Sequence, residues 1–359
     1  MKKLMLMVLA LMTLVALPLL IACSSETTQT PATTQPPATT EPAQVFNLKY
    51  SSSMAGVEPP VIYANRLLDI VEERSNGRVK VERFVGGTLG KSSEQLGLVS
   101  GGSVDFVSIS ASWIRNEMPL HSYMNWALGG EEVVANIQNQ MNFVIPETKA
   151  VLDKENQANN LNILTFWNTG ENGIIAREPF TKLDDLKGKK IGTAPNYRAL
   201  EALGLTTVSM IIPDIYEGLA KGVIDAQCLA ITPMAALKWH EVTKCFMADR
   251  HYAAGQFFAI NLSTWNSLPA DIQAIILDAS NETRAWALDY DKQNTKDVLE
   301  IFRQAGLVVG ELPEEDTKKM HTLEYDFRKQ DMIDLAGPKG MTAEVEIIFK
   351  HLDKLMLGK

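Results

Sequence analysis

The chain has 359 residues, a formal net charge of -9 and 46% hydrophobic residues. That acidic balance argues against a nucleic-acid binder and against a basic membrane-binding face, but it leaves the charge of a small ligand open, because a local pocket does not follow net charge. Three cysteines do not make a disulfide framework. No His or Cys spacing resembles a metal site, so no metal or cofactor is expected.

Lys2 and Lys3 precede an apolar run over 4–20, interrupted by Thr13 and Pro18 and leading into Leu20-Ile21-Ala22-Cys23. A basic start, an apolar core and a small residue before the cut describe a secretory signal, residues 1–22. Cysteine in a Leu-x-Ala-Cys frame adds lipidation of Cys23. An uncleaved membrane anchor is the alternative, and Pro18 and the cysteine frame favour cleavage. Residues 23–44 are rich in Thr, Pro and Gln and nearly uncharged, so they cannot bury a core and read as an extended linker. Together these segments predict an extracytoplasmic protein held on a membrane by its lipid.

From residue 45 the elements alternate. A strand is expected over 46–51. Val61, Ile62, Ala64, Leu67, Leu68 and Val71 mark one face of a helix over 59–75, stopped by Asn76-Gly77. A strand over 79–84, a short helix over 92–100 and a buried strand over 104–110 follow, the grammar of a parallel α/β sheet. A helical region over 131–156 leads to a buried strand over 161–167. Segments 173–176 and 189–192 open a second α/β set. A strand over 256–261 returns the chain to the first set. A helix running from Ile272 towards Ala305 is long enough, on the order of 50 Å, to cross both. The tail from Glu314 is amphipathic helix with a break at Gly337-Pro338. The expected partition is 45–171 plus 256–292 in lobe I and 172–255 plus 293–359 in lobe II.

Several segments in this order resemble the solute-binding proteins of tripartite ATP-independent periplasmic (TRAP) transporters, the DctP-like family. They are Val71-Glu72-Glu73-Arg74-Ser75-Asn76-Gly77-Arg78-Val79, Phe84-Val85-Gly86-Gly87-Thr88-Leu89-Gly90, Gly102-Ser103-Val104-Asp105-Phe106, Met118-Pro119-Leu120, the D-L-K-G turn within 183–188, Gly222-Val223-Ile224-Asp225-Ala226-Gln227, and Trp265 to Pro269. The resemblance implies a two-lobed α/β fold of the periplasmic-binding-protein kind, each lobe a sheet flanked by helices, with a long helix spanning both. It also implies one small ligand held between the lobes, delivery to TRAP membrane permease subunits, and no enzymatic activity. The chain is expected to be a monomer.

In that family the strand after the D-L-K-G turn normally ends in an arginine that clamps a carboxylate. Here that strand is Lys189-Lys190-Ile191 and Gly192 stands in the arginine's place. The upstream arginine is absent from Asn172-Gly173-Ile174-Ile175, and Cys228 and Leu229 lie where an asparagine is expected. A hydrogen bond to a charged group contributes about 1.5–3 kcal/mol, so a carboxylate ligand needs a substitute. Arg198 is the nearest candidate, against the plainer reading of an exposed helix residue; Arg177 is the next. The rival expectation is a neutral or aromatic ligand, stacked on Trp113, Trp167, Tyr197 or Trp239, with Asn168, Asn196, Gln227 and Glu58 as hydrogen-bonding groups. For each tryptophan, core packing is the plain alternative, and for Glu58 a surface carboxylate.

Other classes are weaker. The five histidines are scattered and none pairs with a Ser or Cys in a nucleophile motif, so a secreted hydrolase has little support. A ligand-presenting subunit for a membrane sensor would share this fold. Cys228 and Cys245 sit in apolar surroundings and read as buried thiols, with a disulfide as the alternative.

Overall fold

The computed structural model describes residues 44–125, 130–168, 170–193, 198–210, 212–249 and 255–357. Cys23, Asn196 and Tyr197 therefore lie outside the described residues, as do the expected signal and linker.

Strand β1 (Phe46–Ser52) enters helix α1 (Pro59–Arg74). Pro59 and Pro60 occupy its first turn, where a missing N–H costs nothing. Val61, Ala64, Leu67, Leu68 and Val71 form its buried stripe. Asn76 and Gly77 then take positive φ angles of 52° and 73°, and that turn aims the chain into β2 (Val79–Phe84). Next come α2 (Gln95–Ser100) and β3 (Phe106–Ser110). The helical region expected over 131–156 divides. Helix α3 (Glu131–Asn139) runs into a π-helical turn (Gln140–Val144), and Pro146 starts α4 (Pro146–Ala158) afresh. A proline cannot donate within a helix, so the break falls before it.

Strand β4 (Leu161–Trp167) completes the first sheet together with β10 (Gln256–Asn261), in the order β2-β1-β3-β10-β4. Strands β1, β2 and β3 are parallel, and β10 runs antiparallel between β3 and β4. The second sheet holds β5 (Asn172–Ala176), β6 (Lys190–Thr193), β7 (Thr206–Ser209), β8 (Ala226–Ala230), β9 (Cys245–Ala248) and β11 (Val308–Glu311). Its order is β11-β9-β5-β8-β6-β7. Both sheets are mixed and flanked by helices. Helices α5 (Ala199–Ala202), α6 (Ile212–Lys221) and α7 (Ile231–Ala236) connect strands of the second.

After the short α8 (Leu262–Ser267), helix α9 (Ala270–Gln304) runs 35 residues, about 50 Å at 1.5 Å per residue. Ile272, Ile276, Ala279 and Ala287 pack in the first sheet's core. Val298 and Phe302 pack in the second's. The expectation of one helix crossing both lobes is met.

The end of the chain departs from the expected partition. In α10 (Glu314–Ala336), Met320 packs in a cluster of the second sheet, but Tyr325, Met332 and Ala336 join a cluster of the first. Helix α11 (Thr342–Leu357) places Val345, Ile348 and Leu352 in that same first-sheet cluster. The tail therefore straddles both sheets rather than staying with the second, because the apolar face of each helix meets whichever core is left uncovered.

Gly173 is required where β5 enters the second sheet. A Cβ there would lie 2.4 Å from Phe246 Cζ and 2.6 Å from the Met247 carbonyl oxygen. We expect Gly173→Ala to destabilise the protein by about 3 kcal/mol, measured by urea unfolding, since the backbone oxygen cannot move aside. A loss under about 0.5 kcal/mol would show that β5 relaxes away from β9.

Candidate functional site

The chain leaves the first sheet after Trp167 and enters the second at Asn172, leaves the second after Ala248 and re-enters the first at Gln256, and runs on to both along α9. The first two passages lie at strand ends: β4 leaves the first sheet at Trp167 and β9 leaves the second at Ala248. Open α/β folds collect ligands at such switch points. Here the strand ends carry polar side chains that are nonetheless buried: Ser110, Asn168, Asn172, Asp249 and Gln256. Gln227, also buried, lies three residues further in, opposite Ile175 on β5. Buried polar groups are normally paired. Yet Trp167 Nε1 and Gln256 Oε1, with Gln138 Oε1 on α3 and Gln227 Oε1 within β8, have no hydrogen-bond partner among the described residues.

On the first sheet, Gln256 lies opposite both Ser110 and Trp167 in the strand register. The Trp167 ring is fixed by an edge contact with Tyr63 at 5.5 Å and a tilted one with Phe258 at 5.8 Å. Tyr63 in turn donates its hydroxyl to the buried Asp291 carboxylate on α9. Asn168 Oδ1 accepts from Gln138 Nε2 at 3.2 Å, and the same nitrogen donates to the Met124 carbonyl at 3.2 Å. Trp113 stands one turn beyond β3 and is 55% exposed. Glu58 caps α1 by position but accepts from the Ala55 N–H at 2.8 Å, closing its own loop. Burial pushes its carboxyl pKa above the usual range, partly offset by that bond.

On the second sheet, Gly192 pairs with Gln227 and with Val208. The Gln227 carboxamide lies across the glycine. Its Nε2 donates to the Cys228 carbonyl at 3.1 Å. A Cβ at position 192 would sit 1.9 Å from Gln227 Oε1 and 2.9 Å from its Cδ. Any side chain at 192 therefore requires Gln227 to move. Arg198 is neither loose nor an ordinary exposed helix residue. Its Nη2 donates to Asp331 Oδ1 at 2.6 Å and to the Phe327 carbonyl at 3.2 Å, and the guanidinium covers the Phe327 ring at 4.6 Å. Arg115, from the first sheet's side, reaches the other Asp331 oxygen at 3.5 Å. Arg177 lies 4.0 Å from Asp225, before the start of β8 and away from these strand ends.

Trp239 is seated in the core with Ile231, Met234 and Phe246, and no face of it is exposed. Its packing accounts for it. Cys228 and Cys245 are both buried thiols outside any disulfide. Cys228 Sγ contacts Asp249 Oδ2 at 3.4 Å, and burial, reinforced by that carboxylate, pushes its thiol well above the ordinary range. Burial likewise raises the Cys245 thiol. Neither is a reactive thiolate. Gln138, Gln256 and Asp331 are absent from the sequence expectations. Gln256 had a visible signal, a lone polar residue opening the apolar strand Gln256–Asn261.

Among the described residues this arrangement has no activated nucleophile held by a base. It has hydrogen-bonding groups and aromatic rings at a passage between two sheets, which suits reversible holding of a small molecule. The family model of DctP, bacterial extracellular solute-binding protein family 7, matches residues 50–325. The chain belongs to this family. It is an extracytoplasmic solute-binding protein and not an enzyme. Among curated relatives it is 22% identical to the 2,3-diketo-L-gulonate-binding periplasmic protein YiaO of Escherichia coli K12, over 73% of this chain and 80% of that one. It is 25% identical to the C4-dicarboxylate-binding periplasmic protein DctP of Rhodobacter capsulatus, over 74% and 79%. Among solved structures, a TRAP periplasmic solute-binding protein from Desulfovibrio salexigens with bound orotic acid superposes with a TM-score of 0.72 at 22% identity. That likeness covers 86% of this chain and 99% of that one.

In the DctP-family frame, Gly192 and Gln227 act as one unit. We expect Gly192→Ala alone to cost about 1–3 kcal/mol, since the overpacked Cβ must displace a buried amide. In a Gln227→Ala background the same change is expected to cost under about 1 kcal/mol, read from a double-mutant cycle by chemical denaturation. Equal costs in both backgrounds would mean the two positions do not share space.

Proposed function

We propose that this chain is the solute receptor of a TRAP-type secondary transporter, holding one small organic solute between its lobes and delivering it to the membrane permease. The observation that carries the reading is a family match running through both sheets, together with unpartnered polar atoms at the strand ends where the chain crosses between them. The relatives' ligands, a diketo-gulonate, C4-dicarboxylates and orotic acid, support a small organic acid.

The position expected to hold the clamping arginine is Gly192, and the space above it holds Gln227. Arg198 is engaged by Asp331 and Phe327, so a carboxylate would have to displace an existing partner to use it. The ligand in this reading is therefore an atypical acid or a neutral or aromatic solute. Trp167, Asn168 and Gln227 form its buried contacts, and Glu58 and Trp113 lie at the loops beside it. Asn196, Tyr197 and Arg198 follow β6 in the sequence. Trp239 supports the second sheet without touching the ligand. Cys23 carries the lipid that keeps the receptor at its membrane.

Thermal shift against orotate, C4-dicarboxylates, polyols and aromatic amides tests the reading, with small-angle scattering of the best binder. One class is expected to raise Tm by several degrees and to compact the protein. The absence of any stabilising compound, with one compact state throughout, sinks the receptor reading.

Arg198→Ala is expected to leave affinity for the best binder within about threefold, measured by calorimetry. A loss of a hundredfold, about 2.7 kcal/mol, would instead make Arg198 the substitute clamp.

A further inference from the structure

Helix α10 belongs to both lobes, and its two halves are anchored differently. Near its start, Asp316 Oδ2 accepts from the Leu183 N–H at 2.9 Å, and Met320 packs with Ala199 and Leu200 in the second sheet's core. From Tyr325 onward the helix is fastened to the first lobe, where Tyr325, Met332 and Ala336 share a core with Ile114 and Met118. Beyond its end, Lys339 Nζ donates to the Glu117 carbonyl at 2.9 Å. Phe327 and Asp331 lie on this second half. Arg198 comes from the other lobe, one residue before α5, and grips both. Its Nη2 donates to Asp331 Oδ1 and to the Phe327 carbonyl, while the guanidinium covers the Phe327 ring. Arg115, carried on the first lobe between Ile114 and Met118, reaches Asp331 Oδ2 at 3.5 Å and holds that carboxylate in place. Arg328 does not compete for it, because Glu324 Oε1 holds both its Nε and its Nη2 at 2.6 Å.

We propose that Arg198 is an interlobe latch: a side chain of the second lobe that grips the half of α10 fastened to the first, and so biases the ligand-free protein towards the arrangement of lobes described here. Asp331 is the catch, and Arg115 positions it. A rotation of one lobe against the other moves Arg198 relative to Phe327 and Asp331, so the grip is lost unless α10 bends between Met320 and Tyr325 to follow. Its three contacts share one guanidinium and are made or lost together. The Arg198 and Asp331 side chains are 41% and 21% exposed, so the ion pair itself is weak and screened by salt. The carbonyl bond and the ring contact add to it. The latch touches no solute. Where the latched arrangement dominates, a shift of its population changes an apparent affinity by less than it changes the equilibrium, in keeping with the small affinity effect expected of Arg198→Ala.

The test uses no ligand. Spin labels at Lys80→Cys on the first lobe and Lys221→Cys on the second report the interlobe distance by pulsed electron resonance; both positions are exposed, whereas the native Cys228 and Cys245 are buried. Arg198→Gln and Asp331→Asn are each expected to lower the ratio of the latched to the open distance population by about threefold or more, and the double variant to do no worse than Arg198→Gln alone. Raising salt from about 0.05 M to about 0.5 M is expected to shift the wild type in the same direction and to leave Arg198→Gln unmoved. Arg198→Lys keeps the charge without the fork and is expected to fall between wild type and Arg198→Gln. A purely structural role would lower the unfolding temperature of the variants without changing the distances, and that result overturns the proposal. So do identical distances in wild type and Arg198→Gln, or effects of the two single variants that simply add. A failed latch leaves the receptor reading standing, because no solute enters the measurement, and the absence of any stabilising compound leaves the latch standing.

Discussion

Helix α9 is the constraint on which the two-lobed arrangement depends. Its early residues, Ile272, Ile276 and Ala279, belong to one core, and Val298 and Phe302 belong to another. A continuous helix does not bend freely between such anchors without a proline, a glycine pair or an inserted bulge, and none occurs in Ala270–Gln304. The two sheets are thereby held at a span set by the helix. Strands β4 and β5, and β9 and β10, are consecutive in the chain but belong to different sheets within that span. At these strand ends the polar side chains of Ser110, Asn168, Asn172 and Gln256 are buried.

Asp331 adds a second tie of different character. It takes Arg198 from beside α5 and Arg115 from beyond β3, so one carboxylate on α10 engages both sheets. Its partners are part-exposed, so each pair contributes little on its own. The geometry nonetheless explains why the tail does not stay with the second sheet. Met320 and Tyr325 face different cores from the same helix, and the ion pairs lie where those cores meet.

Much of the fold was legible because its signals are local. Pro59 and Asn76-Gly77 bound α1 through φ preferences that need no tertiary partner. The apolar strands Leu161–Trp167 and Gln256–Asn261 announced themselves by β-branched and aromatic content. What the sequence did not show was which face met which neighbour. Arg198 and Asp331 are 133 positions apart, and nothing local marks them as a pair. Trp239 has the composition of a binding aromatic and the surroundings of a core one. Gln227 was visible as a hydrogen-bonding candidate, but its placement over Gly192 depends on the register of β6 against β8, which periodicity does not fix.

That register changes the meaning of Gly192. Taken alone, a glycine in place of a clamping arginine is a loss. Seen with Gln227, it is the condition that lets an amide lie flat against the strand. Leaving a buried acceptor unsatisfied costs about 1–3 kcal/mol, a large fraction of the stability of an ordinary domain. Trp239 Nε1 also has no partner among the described residues, but it is surrounded by Ile231, Met234 and Phe246, and the packing of the ring offsets the cost. Gln227 shares a face of the sheet with Ile175 and Ile224 of that same core, with a smaller apolar body of its own. Half of its amide is satisfied and the other half is oriented and left open, and Gln138 repeats the pattern on the opposite lobe. A sequence optimised for stability alone would replace either residue with an apolar one of similar volume.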